Sequence, residues 1–362
     1  MLQRTRGKPL TLIVALGLLL AACSNGGSSP TSAVTSNPPA SGGASQSAAA
    51  GELPPPEKTD IKIGLSVTET SQFAYQLAKM AGIYEKYGLT VETSTFEGDG
   101  KALQALLAGQ LDGAGLGVSS PIASQTTDSP VKAVAVNAVI LSDNLVCTKD
   151  IKTADDVRGK QIAISTFGGT SHGSSILSLK ALGLTPEDVV ITQIGGQSAR
   201  IAALEGGSVG CAVVDVALSD KMKGEGFNLL TDLTTEPLQW GRSALSFSED
   251  FIAKNPNTVL NIVAASLEAQ NMMWDDPDTA AKYYAEFTQL PLDEAKGLIT
   301  DFQKIGNRTM MWKQDAFENP KEVLATVNPA VKDVDVTTAY DTSFLQKLQD
   351  DGFYEKLGVP LS

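Results

Sequence analysis

The chain has 362 residues, 41 acidic against 28 basic side chains, a formal charge of −13 and a single histidine. The acidic balance argues against nucleic acid and against an electrostatic grip on anionic lipid, and the lone His172 excludes a multi-histidine metal site. No metal and no cofactor is expected.

The N-terminus reads as a targeting segment. Arg4, Arg6 and Lys8 precede an apolar run over residues 10–22, too short for a comfortable membrane span and suited to a signal sequence. The run ends Leu20-Ala21-Ala22-Cys23, which resembles a bacterial lipobox, so residues 1–22 are expected to be removed and Cys23 lipidated. Several acyl chains, at about 0.8 kcal/mol per buried methylene, suffice for stable anchoring. Residues 23–58 then form a Ser/Gly/Ala/Pro linker with too little apolar surface to fold. As a coil it would reach on the order of 30–35 Å. The expected location is the outer face of the cell membrane, held by lipid. With the leader set aside, the charge is about −16.

From residue 59 on, strand and helix signals alternate. Ile61, Ile63, Leu65 and Val67 share one face of a strand. A polar loop over 68–72, a helix over 73–80 and a short turn stopped by Gly88 follow. Next come a strand over 90–96, the Gly98-Asp99-Gly100 loop, a helix over 101–108 and a strand over 114–117 that leads into a loop at 118–121. Residues 131–140 form a long central strand, and 144–147 continue extended. The pattern then restarts. A helix over 154–158 is capped by Thr153, a strand over 161–165 leads to a Gly/Ser/Thr loop over 166–175, and a helix covers 176–182. A capped turn at Thr185-Pro186 comes before a strand over 189–194 and a loop over 195–198. A second helix then leads to a strand over 211–214. After a segment at 227–232 the chain returns through 240–247, and helices are expected over 256–274, 277–288, 292–304, 320–327 and 343–351. The order is that of parallel sheets covered by helices, an α/β architecture.

One unit occurs twice. Residues 105–114 and 203–212 each read as a helix end, a terminating glycine (Gly109, Gly207) and entry into a small-residue strand. Two related lobes follow from this. Cys147 and Cys211 lie in strand-like runs of an exported chain, as one cross-strand bridge or two buried thiols.

Residues 82–92 (Gly-Ile-Tyr-Glu-Lys-Tyr-Gly-Leu-Thr-Val-Glu), with Ala105-Leu106 and Gly109-Gln110-Leu111-Asp112, resemble the solute-binding proteins of ABC importers for sulfonates, taurine, nitrate and thiamine pyrimidine precursors. Residues 154–160, Leu182-Gly183-Leu184, Asn255-Pro256 and Asp276-Pro277 agree with that family over about 61–287. Gly210 departs from it, standing where Asp is common. The resemblance implies an α/β, type II periplasmic-binding-protein fold: residues 59–143 with 242–362 as one lobe, 144–241 as the other, a hinge of two crossings and an interlobe cleft. It further implies lobe closure on a small-molecule solute, then docking of a monomer on ABC permease and ATPase subunits.

Ligands of open α/β sheets sit outside the carboxyl ends of strands. That rule selects Thr68, Thr70, Ser71, Phe73, Gly98, Asp99, Ser119, Ser120 and Asp215 as ligand-binding candidates. The richest stretch holds Thr166, Gly168, Gly169, Thr170 and Ser171, whose hydroxyls and close-approach glycines before a helix suit an anionic head. It is not a phosphate-binding P-loop, because the lysine is missing. Trp240 is a candidate for stacking, equally readable as core. His172 reads as an exposed or capping side chain rather than a ligand contact. The expected ligand is a small sulfonate or zwitterion. Glu69, Asp99 and Asp215 make a bare inorganic anion less suitable, and a thiamine pyrimidine precursor or another small nitrogen-containing solute is the alternative. A fungal enzyme related to this fold makes the thiamine pyrimidine with a histidine in its first cleft loop and a Cys-rich iron motif, whereas residues 68–73 hold no histidine and the sequence has no Cys cluster. A serine hydrolase would need a Gly-x-Ser-x-Gly elbow, also missing. A surface sensor on the same fold is the remaining alternative.

Overall fold

The structure, a computed structural model, describes residues 53–234 and 238–361. The leader, Cys23 and most of the linker lie outside the described residues. Among the described residues, ten strands form two five-stranded sheets. The first contains β1 (Asp60–Leu65), β2 (Thr90–Thr95), β3 (Gly113–Leu116) and β4 (Val131–Ile140). The second contains β5 (Asp143–Cys147), β6 (Gln161–Ile164), β7 (Val190–Gln193), β8 (Cys211–Asp215) and β9 (Asn228–Asp232). The chain then returns to the first sheet as β10 (Gln239–Ser248).

The strand orders are β2-β1-β3-β10-β4 and β7-β6-β8-β5-β9. The two sheets share one topology. In each, three parallel strands are followed by an antiparallel fourth that belongs to a crossing between sheets. Leu141-Ser142 makes the first crossing, and the chain is back in the first sheet from Gln239.

The repeated helix-to-strand unit explains this likeness locally. Gly109 and Gly207 have φ of 69° and 68°, the left-handed region that glycine enters without a Cβ penalty. Around each, the same pair of bonds closes the helix. Gly109 N–H donates to Leu106 O and Gln110 N–H to Ala105 O; Gly207 N–H donates to Leu204 O and Ser208 N–H to Ala203 O. Each chain then enters the strand that lies parallel to the first strand of its sheet, β3 beside β1 and β8 beside β6.

Several helices begin earlier than the sequence suggests. The first covers Thr70–Met80, so Thr70, Ser71 and Gln72 are helical rather than loop. The Gly/Ser/Thr loop ends at Gly169, and a helix runs over Thr170–Ala181. Residues 118–121 are not a loop, since a short helix spans Ser119–Ser124. The Asp315–Val327 helix starts five residues before Pro320 and carries it inside. Small polar residues score poorly as helix interior, yet are good first-turn residues, which is why all three N-terminal starts read as loop. Helices over Val216–Gly224 and Glu249–Lys254 also carry no strong sequence signal.

The first sheet packs on Pro256–Asp275, a helix whose Pro256 occupies its first turn and which buries Val259, Ile262, Val263 and Leu267. Phe73 and Tyr75 meet Leu245 and Phe247 in the same core. The second sheet has a smaller core of Leu145, Ile162, Leu179 and Val213. There Cys147 and Cys211 are register partners across β5 and β8, joined in a disulfide. Among the described residues no helix is long and apolar enough to cross a membrane.

Candidate functional site

Each sheet aims the carboxyl ends of its parallel strands at one cavity of about 70 Å³. Ser66 and Val67 follow β1, Gly98 and Asp99 follow β2, and Gly117 follows β3. From the second sheet Ser165 follows β6, and Gly196 and Gln197 follow β7. Glu69, Ser71, Gln72, Asp143, Thr170, Ser171, Arg200 and Arg242 complete the lining.

Buried polar side chains brace the loops from behind. The Gln72 amide oxygen accepts from Ser66 N–H at 2.9 Å, and its nitrogen donates to Ser66 Oγ at 2.8 Å. In the second sheet, Gln197 Oε1 accepts from Asp215 N–H at 2.8 Å. Ser171 Oγ accepts from Ser165 N–H at 2.8 Å and lies 2.7 Å from Ser165 Oγ. Such bonds fix loop backbones that would otherwise leave buried groups unpaired.

The charged centre is Arg242, from β10, with a side chain 6 % exposed. Its Nη1 donates to Asp143 Oδ1 at 3.0 Å and to Ser142 Oγ; its Nη2 donates to Glu69 Oε2 at 3.0 Å and to Asp215 Oδ2 at 2.9 Å. Burial opposes its charge, and the Asp143, Asp215 and Glu69 carboxylates more than offset that, raising its pKa. Asp143 also accepts from Ser174 Oγ at 2.6 Å. Asp99 accepts from Gly117 N–H at 3.2 Å; burial pushes its pKa up against the Ser66 and Gly117 hydrogen bonds, with a smaller push from Glu69. Arg200 is 5 % exposed, donating from Nε to Val213 O at 2.9 Å and from Nη1 to Gly195 O at 3.0 Å. Desolvation lowers its pKa.

Of the residues selected from sequence, Ser71, Gly98, Asp99, Thr170 and Ser171 line the cavity. Asp215 stands behind it, turned to Arg242. The others lie elsewhere. Thr68 is exposed and its carbonyl accepts from Tyr284 Oη; Thr70 begins a helix. Phe73 is fully buried, with its ring centroid 4.8 Å from that of Tyr284, because the early helix start turns it into the core. Ser119 and Ser120 are buried in the first turn of a helix, leaving Gly117 to meet the cavity. Thr166 is partly buried beside Gly98. Gly168 has φ 77°, and a Cβ there would collide with Leu324 Cδ1, so this glycine serves packing. Gly169 precedes the Thr170–Ala181 helix outside the lining. Trp240 is 1 % exposed and lies against Gly173, Leu141 and Val323, as core. His172 is not exposed: it is buried, and its Nδ1 accepts from Gly168 N–H at 3.1 Å.

Sequence reasoning passed over Arg200, Arg242 and Asp143. A signal exists for the second, since Arg242 interrupts an otherwise apolar and small run over 240–247. A charge within a central strand has to meet partners.

Two like-wound α/β halves with a polar cavity where their parallel strands end define the periplasmic-binding-protein class of fold. The alkanesulfonate-binding protein SsuA from Xanthomonas axonopodis pv. citri superposes with a TM-score of 0.66 at 17 % identity, covering 79 % of this chain and 99 % of that one. In sequence, the NMT1-like family matches residues 54–287, and the chain belongs to that family. A Brucella abortus chain described as a candidate binding protein is 28 % identical over 225 residues, 60 % of this chain and 68 % of its own. Riboflavin-binding protein RibY from Chloroflexus aurantiacus is 26 % identical over 269 residues, 72 % of this chain and 75 % of its own.

Proposed function

We propose that this protein is the extracytoplasmic solute-binding component of an ABC importer, lipid-anchored through Cys23, which captures a small sulfonate or zwitterion of taurine type. Lobes made of residues 59–143 with 242–362, and of 144–241, would close on the solute and present it to a permease driven by its ATPase subunits. The carrying observation is the cavity, small and lined from both sheets by hydroxyls, amides and charges of both signs. The names of the SsuA and RibY relatives point to alkanesulfonates and riboflavin. A cavity of about 70 Å³ favours the smaller solute. Asp99 also suits the paired nitrogens of an aminopyrimidine, the second reading.

A thermal-shift panel of taurine, alkanesulfonates, nitrate, aminopyrimidines and riboflavin tests this. A ligand at 100 times its Kd adds about 2.7 kcal/mol. Shifts with taurine or alkanesulfonates support the reading. Silence from both, with a shift from aminopyrimidines or riboflavin, replaces it.

A further inference from the structure

Five charged side chains line the cavity, with Asp215 behind it, and the six do not balance. Arg242 engages Glu69, Asp143 and Asp215 together, so its guanidinium is committed to the protein. Two charged lining residues stand outside that cluster. Among the described residues, no lysine or arginine lies within ion-pair distance of Asp99, which follows β2 of the first sheet. No carboxylate lies within that distance of Arg200, on the Gln197–Glu205 helix of the second sheet. Arg200 uses Nε and Nη1 on backbone carbonyls, and Nη2 has no acceptor among the described residues. The protein thus holds one anion and one cation without a direct ion-pair partner, contributed from different sheets to a half-open cavity, and Glu69, Asp143 and Asp215 act on Arg200 only at longer range. Arg200 is buried and Asp99 partly buried, and a desolvated charge without a direct counter-charge is costly.

Building on the solute-binding reading above, we infer that the solute carries a protonated amine bound by Asp99 and an acidic group bound by Arg200, in one fixed orientation. An acid without an amine would answer only Arg200. It would meet four carboxylates (Glu69, Asp99, Asp143 and Asp215) against two guanidiniums. A zwitterion supplies the missing partner on each wall, so its contacts form only when the walls are together. That is the differential affinity a closing ligand needs. The upward shift of Asp99, caused first by burial, fits this picture, since no nearby cation offsets it.

The test uses calorimetric titration of the folded protein with taurine and with ethanesulfonate, which lacks the amine. The wild type is expected to bind taurine about 100-fold or more tightly than ethanesulfonate, the scale for a desolvated charge pair losing one partner. Asp99→Asn keeps the oxygen that accepts from Gly117 N–H and is expected to shrink that ratio below about tenfold. Arg200→Lys keeps the charge without the fork and is expected to weaken both ligands. Equal binding of the two ligands by the wild type, or an undiminished ratio in Asp99→Asn, overturns the inference while leaving solute capture intact. Binding of neither overturns the taurine-type reading instead. The empty protein then decides the inference by melting temperature. Asp99→Asn is expected to melt higher, because a carboxylate without a counter-charge becomes a neutral amide. An equal or lower melting temperature overturns it.

Discussion

Arg242 Nη2, on a strand of the first sheet, lies 2.9 Å from Asp215 Oδ2, at the carboxyl end of a strand of the second. The same guanidinium reaches Asp143 where the chain enters the second sheet, and Glu69 just after β1. One buried cation therefore ties the two halves at the base of the cavity. Replacing it leaves three carboxylates facing one another. Arg242→Gln is expected to cost about 3–5 kcal/mol of unfolding free energy in urea denaturation, the range for breaking a buried ion pair from one side. The double variant Arg242→Gln with Asp143→Asn should recover part of that loss. A loss below about 1 kcal/mol would show that the cluster is wet and screened.

Much of this arrangement is legible in the sequence, for identifiable reasons. The Gly109 and Gly207 units mark the two halves because a helix that stops and turns into a strand needs a left-handed residue there. Loops that follow parallel strands gave Gly98, Asp99, Thr170 and Ser171, since chain order alone fixes which end of a strand faces the crevice. Phe73, Ser119 and Ser120 follow from the same rule and stand in helix or core, and Trp240, a stacking candidate equally readable as core, stands in the core. Sequence position places a residue near an edge, but a helix start shifted by three residues rotates its side chain by most of a turn. Arg200 and Arg242 come from a helix and an antiparallel strand, elements the strand-end rule does not cover.

Gly168 and Gly169 look equivalent in sequence and differ in the fold. Gly168 has φ 77° and faces Leu324 of the Asp315–Val327 helix, whereas Gly169 has φ −84° and its nearest neighbour for a Cβ is Thr166 O at 3.3 Å. Gly168→Ala is expected to cost about 1–2 kcal/mol for the left-handed backbone, with further loss from the collision. Gly169→Ala should cost less than half as much. Chemical denaturation of both, side by side, checks the order, and equal effects would remove this distinction.

The Cys147–Cys211 bridge closes a sequence separation of 64 residues between neighbouring strands of the second sheet. In the chain-entropy picture such a loop stabilises the fold by about 4 kcal/mol. Both cysteines are fully buried, so mild reductant should leave the native bridge intact while reductant with denaturant opens it. Unfolding monitored with and without reductant is expected to give a lower midpoint for the reduced protein. Two free thiols in unfolded, unreduced protein would rule the bridge out.

His172 gives the fold a pH dependence of definite sign. It is buried beside Phe167, with ring centroids 5.3 Å apart, and its Nδ1 must be unprotonated to accept from Gly168 N–H. Desolvation lowers its pKa from the ordinary 6.5. The unfolded chain then binds the proton more readily than the folded one. The stabilisation is fully present above about pH 6.5 and is lost as the pH falls through the folded value. Protonation also costs the acceptor that holds Gly168 N–H, next to the cavity-lining Thr170 and Ser171. His172→Gln removes this titration. The difference in unfolding free energy between wild type and variant should therefore shrink on acidification from pH 7 to pH 5. A difference that is constant over that interval would show that His172 titrates alike in both states.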